Sequence, residues 1–464
     1  MCIRDRCSGD RLKNSVTFKL HLATTLSADL EERPNVVVSK QTVQFMNSLL
    51  LIAALIVLGY ALVSAWLPKT IITAPMVFVA CGIAASSYSN NENYLFVLES
   101  LAELTLVVLL FTDASRINAR ALLKEPGIPL RLLGIGLPLT IALGFVLAKL
   151  LFPTLSWAEA ALLSAILAPT DAALGQAVVS SKVVPLRIRQ ALNVESGLND
   201  GVVFPVVILF ASLAALPGEH GQETEWLMLW GKQITLGPFV GVATAICGGL
   251  AVEWTSRIGF VSPTFKKLSG VALAVLAWAL AGEVGGNGFI AAFTAGLVVG
   301  VITKTIKPAL QEFGETEGQL LSLLSFSLFG ATMIWPAIVD ASLSSWGYAI
   351  LSLTLVRLIP VALSLRGMSL RLPTELFLGW FGPRGLASLI FILLVTNEHD
   401  FSHEPLLLNT VVLTALLSVV AHGISAIPAA FWYGRIMQRE ENANCCEQQT
   451  VHEHSIRYGA IDHN

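Results

Sequence analysis

Two polar sequences interrupt apolar stretches that are long enough to cross a bilayer. One is Ala168-Pro169-Thr170-Asp171-Ala172-Ala173, the other Glu195-Ser196-Gly197-Leu198-Asn199-Asp200. An ionised side chain near the middle of a membrane costs at least ~2.5–3.5 kcal/mol on insertion scales. A chain that keeps Asp171, Glu195 and Asp200 at that depth has a use for them. The use that suits a carboxylate is to hold a cation, a proton, or the two in alternation.

The rest of the sequence sets the class. Of 464 residues, 54% are hydrophobic and 13% charged, where a soluble domain carries about 25% charged residues. With a mean hydropathy of +0.70, the expectation is an all-α polytopic membrane protein. No basic run points to nucleic acid. Cys2, Cys7, Cys81, Cys247, Cys445 and Cys446 show neither zinc-site spacing nor a disulfide framework. No cofactor is expected. No nucleophile–base pair, His-Glu-x-x-His sequence or nucleotide motif points to an enzyme.

A membrane helix needs roughly 20 apolar residues. On that basis the chain reads as about thirteen transmembrane helices. They lie near 47–66, 71–87, 94–114, 132–152, 157–180, 190–215, 234–254, 268–283, 287–303, 319–339, 346–366, 375–396 and 405–428. Residues 1–45 are polar, charged and aperiodic and lack the pattern of a signal peptide. They read as a disordered leader or as sequence upstream of a natural start at Met46. Residues 436–464 read as a disordered cytoplasmic tail.

Lysine and arginine fall after the odd-numbered spans. Lys69, the group Arg116, Arg120, Lys124 and Arg131, then Lys182, Arg187 and Arg189, then Arg257, Lys266 and Lys267 follow this rule, as do Lys304, Lys307, Arg371 and Arg435. The even-numbered connections hold only Lys232 and Lys149. The positive side is cytoplasmic, so the expectation is N-terminus outside and C-terminus inside.

Spans 5 and 12 are broken. Pro169 precedes Thr170-Asp171 in one, and Gly382-Pro383-Arg384-Gly385 lies in the other. Proline removes a backbone donor and clashes with the preceding turn. At membrane depth, non-helical backbone survives only where protein or water satisfies it. The two spans run in opposite directions, and each has a proline, a charge just after it and a run of small residues. That is the mark of an inverted repeat. Where two such helices cross, positive and negative helix ends meet. Asp171 is placed to offset the former and Arg384 the latter. An ordinary proline kink, with Arg384 snorkelling to an interface, is the competing reading of span 12.

On span 6, Glu195 and Asn199 share a face, and Ser196 and Asp200 form the next such pair. Asp200, Ser196, Thr170, Asp171 and freed carbonyls of span 5 together offer oxygen ligands for a cation. Glu195 needs a buried partner. Arg357, in mid-span 11, is the first candidate and Arg384 the second. Glu99 and Glu103, one turn apart on span 3, line an access path or face the headgroups.

With these motifs the chain resembles the monovalent cation:proton antiporter family that includes the sodium/proton exchangers. The resemblance covers 46–435 and rests on Thr170-Asp171, Glu195-Ser196-x-x-Asn199-Asp200, Arg357 and Pro383-Arg384-Gly385. Two positions depart from the family pattern. Ala172 follows Asp171 where proline is usual, and Gly197 replaces a leucine. The resemblance implies a homodimer in a bacterial plasma (inner) membrane. It further implies a core domain over roughly 94–215 and 319–428 that moves like an elevator, with the other spans as a dimerisation scaffold. Asp200 would be the proton and cation carrier, with Thr170, Asp171, Ser196 and Asn199 around the cation. Glu195 and Arg357 would form a structural ion pair, and Arg384 with Asp171 would compensate the helix breaks. The transported ions would be protons and sodium, with lithium and potassium open. Antiporters of a related type carry aspartate where Asn199 stands, so the neutral amide implies electroneutral, one-for-one exchange. A potassium/proton antiporter and a cation channel-like or regulatory membrane protein remain as alternatives.

Overall fold

The computed structural model describes residues 40–67, 70–86, 93–117, 127–215, 223–439 and 447. Among them every regular element is helical. The chain divides into two units, Met1–Leu58 and Gly59–Asn464. Among the described residues the first unit holds only a helix that starts at Lys40. The leader read over 1–45 lies outside the described residues up to 39, and from Lys40 the chain is already helical.

The helices are α1 (Lys40–Val63), α2 (Ala74–Ala85), α3 (Asn93–Arg116) and α4 (Gly127–Leu151). Next come α5a (Trp157–Ile166) and α5b (Ala172–Val179), then α6 (Leu186–Ala214) and α7 (Glu223–Thr244, continued by Leu250–Arg257). They are followed by α8 (Pro263–Glu283), α9 (Gly288–Ile302), α10a (Lys307–Thr332) and α10b (Ile334–Asp340). The last are α11a (Leu343–Leu353), α11b (Leu355–Ser364), α12a (Leu372–Trp380), α12b (Leu386–Glu398) and α13 (Glu404–Met437). Each apolar stretch read from the sequence thus falls on one helix or on a bent or broken pair. Among the described residues, six helices are long and apolar enough to cross a membrane, or seven if α10a and α10b, bent by 43°, count as one. The halves α5a and α12b, of 10 and 13 residues, fall short because their spans are interrupted.

Local chemistry fixes where helices begin. α5a opens on a capping box in which Glu159 N donates to Ser156 Oγ at 3.1 Å and Ser156 N to Glu159 Oε2 at 2.8 Å. Asn287 caps α9 by accepting from Phe289 N and Ile290 N at 3.0 and 3.1 Å. Close helix contacts use small residues, as they must where lipid gives no hydrophobic drive between helices. On α9, a Cβ at Gly296 would stand 2.2 Å from Phe111 O, and one at Gly300 2.4 Å from Ser115 O, both on α3.

Large apolar side chains face outward. Phe239 and Leu150 are each 71% exposed and Trp254 63%, on helices apolar enough to face lipid. The buried core that positions the site includes Ile188, Val361, Phe377, Tyr433 and Met437. It joins α6, α11b, α12a and α13, and Phe377 stacks on Tyr433 with ring centres 4.3 Å apart.

Candidate functional site

The breaks of α5 and α12 meet each other. Asp171 N donates to Pro383 O at 2.8 Å, so the two interrupted backbones are hydrogen-bonded directly. Asp171 has extended backbone and caps α5b, its Oδ1 accepting from Ala173 N at 2.7 Å and Leu174 N at 3.4 Å. Its Oδ2 accepts from Leu386 N, the first residue of α12b, at 2.6 Å. One carboxylate therefore caps two half-helices, which satisfies orphan donors and opposes two positive helix ends at once.

The negative ends are met by cationic or neutral donors. Arg384 is fully buried, and its Nη1 donates to Ala168 O at 2.8 Å and Pro169 O at 3.1 Å, just past the end of α5a. Ser388 Oγ donates to Ile166 O at 2.7 Å. At the end of α12a, Trp380 O lies 2.8 Å from His422 Nε2, and Arg384 N donates to Ser418 Oγ at 2.7 Å. Arg384 thus sits at the crossing and does not snorkel. Sequence reading did not single out Ser388, Ser418 or His422. Single polar residues on apolar helices show no periodic signal, and their partners come from distant helices.

Helix α6 runs past this crossing. Glu195 and Arg357 form a two-pronged pair, with Nη1–Oε1 at 2.6 Å and Nη2–Oε2 at 2.8 Å. Their side chains are 4% and 1% exposed. Arg384, the second partner considered for Glu195, turns its Nη1 on the carbonyls of α5 instead. Asn199 Nδ2 donates to Thr170 Oγ1 at 2.7 Å, and Thr170 Oγ1 lies 3.1 Å from Ser196 Oγ. All three side chains are buried, and Asn199 Oδ1 has no protein hydrogen-bond partner. Asp200 follows Asn199 on α6, one turn beyond Ser196, and is half-buried. The residues read as ligands from the sequence therefore gather on two elements, the α5 break and one strip of α6. Asp171 differs from the others in that backbone donors engage both of its oxygens.

Away from this site, Glu103 lies within electrostatic range of Glu99 and of Glu398 at the end of α12b. Among the described residues no group of three or more His, Cys, Asp or Glu is placed to hold a metal ion.

The chain matches known proteins along most of its length. A family model described as "Sodium/hydrogen exchanger, transmembrane" matches residues 42–432. The K(+)/H(+) antiporter NhaP of Alkalimonas amylolytica is 26% identical over 374 residues, covering 77% of this chain and 62% of that protein. The Na(+)/H(+) antiporter of Saccharomyces cerevisiae is 27% identical over 280 residues, covering 56% of this chain and 28% of that one. This chain thus spans less than two thirds of the length of these relatives. The solved structure of the sodium proton antiporter MjNhaP1 from Methanocaldococcus jannaschii superposes with a TM-score of 0.67 at 18% identity, covering 84% of this chain and 100% of that one. That likeness establishes a shared fold.

Proposed function

This chain belongs to the sodium/hydrogen exchanger family, a family of multi-pass transporters rather than enzymes, and on that premise we propose that it exchanges a monovalent cation for a proton. Asp200 is the carrier in this reading. It takes either a proton or a cation, and the protein changes its access between the two sides of the membrane only when loaded. That rule alone couples the two ions.

The observation that carries the reading is the cluster beside Asp200. Thr170, Ser196 and Asn199 are locked to one another, while Asn199 Oδ1 is left buried with no protein partner. An amide oxygen and hydroxyls next to a carboxylate are the ligands an alkali cation takes in place of water. The crossing supports this by leaving the cation no charge to neutralise at the helix ends. Asp171 and Arg384 already answer them. Asp171 then acts on the cation chiefly through its charge, and the oxygens of Asp200, Asn199, Ser196 and Thr170 are the ligands. Glu195 and Arg357 hold α6 in place.

Sodium is the first cation in this proposal. Potassium is the second, because the relatives are named for each. With Asn199 neutral, one carboxylate titrates at the site and exchange is one-for-one and electroneutral. The wider frame of the reading is a homodimer in a bacterial inner membrane, with core helices over 94–215 and 319–428 and the C-terminus in the cytoplasm.

The test uses everted membrane vesicles from a host without its own antiporters, with a dye that reports the pH gradient. Adding sodium, lithium or potassium in turn should dequench the dye, and Asp200→Asn should abolish the response. Dequenching that survives in Asp200→Asn would overturn the assignment of the carrier. No response to any cation from inserted protein would overturn exchange itself.

A further inference from the structure

Helix α12 is interrupted from Phe381 to Gly385, and both lips of the break are held by one turn of α13. At the first lip, Trp380 O accepts from Gly382 N at 2.9 Å and lies 2.8 Å from His422 Nε2. At the second, Arg384 N donates to Ser418 Oγ at 2.7 Å. Ser418 and His422 are four residues apart on α13, 0% and 1% exposed, and Ser418 Oγ lies 3.1 Å from His422 Nδ1. The rings of His422 and Trp380 lie 5.0 Å apart at 32°, and Trp380 Nε1 donates to Ser425 Oγ at 2.8 Å.

The donors and acceptors can be ordered. Ser418 Oγ accepts the Arg384 amide and has its own hydroxyl proton to give. A neutral imidazole protonated on Nε2 accepts that proton on Nδ1 and donates to Trp380 O. The result is one directed chain, Arg384 N–H to Ser418 O–H to His422 to Trp380 C=O, which spans the gap that the helix cannot close itself. An imidazolium makes a different pattern, in which Nδ1 donates to Ser418 O, 3.0 Å away. The charged groups close enough to act on the ring are the Arg384 and Arg357 guanidiniums.

We propose that His422 is a positioning residue for exchange, a neutral splint across the break of α12 that fixes where Arg384 sits over the carbonyl end of α5a. It touches neither cation nor transported proton. This inference rests on the exchange reading, and it adds a residue on a thirteenth-span helix to a site otherwise built from α5, α6, α11 and α12.

The experiment compares His422→Gln, His422→Ala and Ser418→Ala in the full chain, in proteoliposomes, with a second readout in detergent. Glutamine keeps a donor for Trp380 O and an acceptor for Ser418, and it does not titrate. His422→Ala should lower the maximal exchange rate by about tenfold to a hundredfold, since a misplacement of about 1 Å caused away from the reacting groups can cost about a hundredfold. His422→Gln should recover to within about threefold of the parent with the same pH profile. Ser418→Ala should fall between them. Hydrogen exchange of the amides from Gly382 to Leu386 should quicken in His422→Ala. If His422→Gln shifts the pH profile, the ring titrates during transport and the splint reading is overturned. Parent-like exchange in both His422→Ala and Ser418→Ala also overturns it. If His422→Ala does not insert, His422→Gln and Ser418→Ala decide alone. Should the parent show Asp200-dependent exchange while these variants are unaffected, only this inference fails. Should the parent move no cation, the exchange reading fails, and the amide measurement still tests the splint.

Discussion

Gly382 lies so close to Arg357 that a Cβ there would stand 2.3 Å from the guanidinium Nε. Three residues on, a Cβ at Gly385 would stand 2.1 Å from Asp171 Oδ2. The two glycines of Gly382-Pro383-Arg384-Gly385 do separate jobs. One makes room for the arginine that binds Glu195, the other for the carboxylate that caps both half-helices. Neither contact is with the flexible tip of a free side chain, since both charged groups are fixed by other bonds.

The first prediction comes from that geometry. Gly385→Ala must push Asp171 off Leu386 N, which uncaps α12b and leaves a buried carboxylate short of a donor, at a cost of about 1–3 kcal/mol. Gly382→Ala must displace Arg357 from its place beside Glu195. Both variants should lose thermal stability and most exchange activity, whereas Gly134→Ala, at a position where an added Cβ meets nothing within 4 Å, should lose neither. Melting temperature in detergent, read beside dye dequenching, is the check. An active, stable Gly385→Ala would refute the two-helix cap.

A second prediction concerns the pair itself. Breaking one half of a buried ion pair leaves an uncompensated charge and costs about 3–5 kcal/mol, while removing both halves is often far milder. Glu195→Met and Arg357→Met should each destabilise the protein more than the double variant that carries both replacements. A double-mutant cycle on melting in detergent measures this coupling. Additive losses would mean that Glu195 and Arg357 do not act as a unit.

These contacts were legible in the sequence to different degrees, for a physical reason. Charges in apolar spans are few and each must be answered, so Glu195 with Arg357 could be named as a pair from a short set of candidates, and Asp171 and Arg384 could be named as the groups that meet the opposite helix ends at the breaks. Proline and glycine marked where both helices stop. That one carboxylate serves α5b and α12b together could not be read, because it depends on a backbone N–H of Leu386 that 215 residues separate from Asp171. His422 and Ser418 were invisible for the same reason. Their partners across the break of α12 are main-chain atoms, which carry no sequence signature. The turns at Leu132–Gly136 and Ala245–Gly249, where α4 and α7 widen to a π-helix, likewise left no mark beyond a few glycines.

A third prediction separates the cation site from its stoichiometry. Asn199 Nδ2 donates to Thr170 Oγ1, and a carboxylate in its place has no proton to give unless it is protonated. Asn199→Asp should therefore turn the Thr170 hydroxyl around and add a second titrating group beside Asp200. Exchange by this variant should become sensitive to membrane potential, while the parent stays insensitive. Potential clamped with valinomycin and potassium gradients in sodium-loaded proteoliposomes gives the answer. A potential-driven parent would sink the one-for-one assignment.

The last prediction concerns Glu447, a residue of the segment read as a disordered tail. The other tail residues from 440 lie outside the described ones, but Glu447 is fully buried. Its Oε1 accepts from Arg371 N at 2.9 Å and from Thr374 Oγ1 at 3.0 Å, and Thr374 Oγ1 lies 2.9 Å from Tyr433 Oη on α13. Arg371 is the N-cap position of α12a, and no cap comes from its own side chain. A carboxylate brought in from the tail therefore supplies an acceptor and a negative charge where the helix start needs both. Glu447→Ala should cost about 1 kcal/mol, the usual worth of an N-cap. Its signature should be faster amide hydrogen exchange confined to the first turn of α12a, from Arg371 to Glu375. Glu447→Gln keeps an acceptor and loses the charge, so it should fall between Glu447→Ala and the parent. Cutting the chain after Arg439 removes that carboxylate and should likewise quicken these amides. A truncation that left these amides as slow as in the parent would detach the tail from α12a.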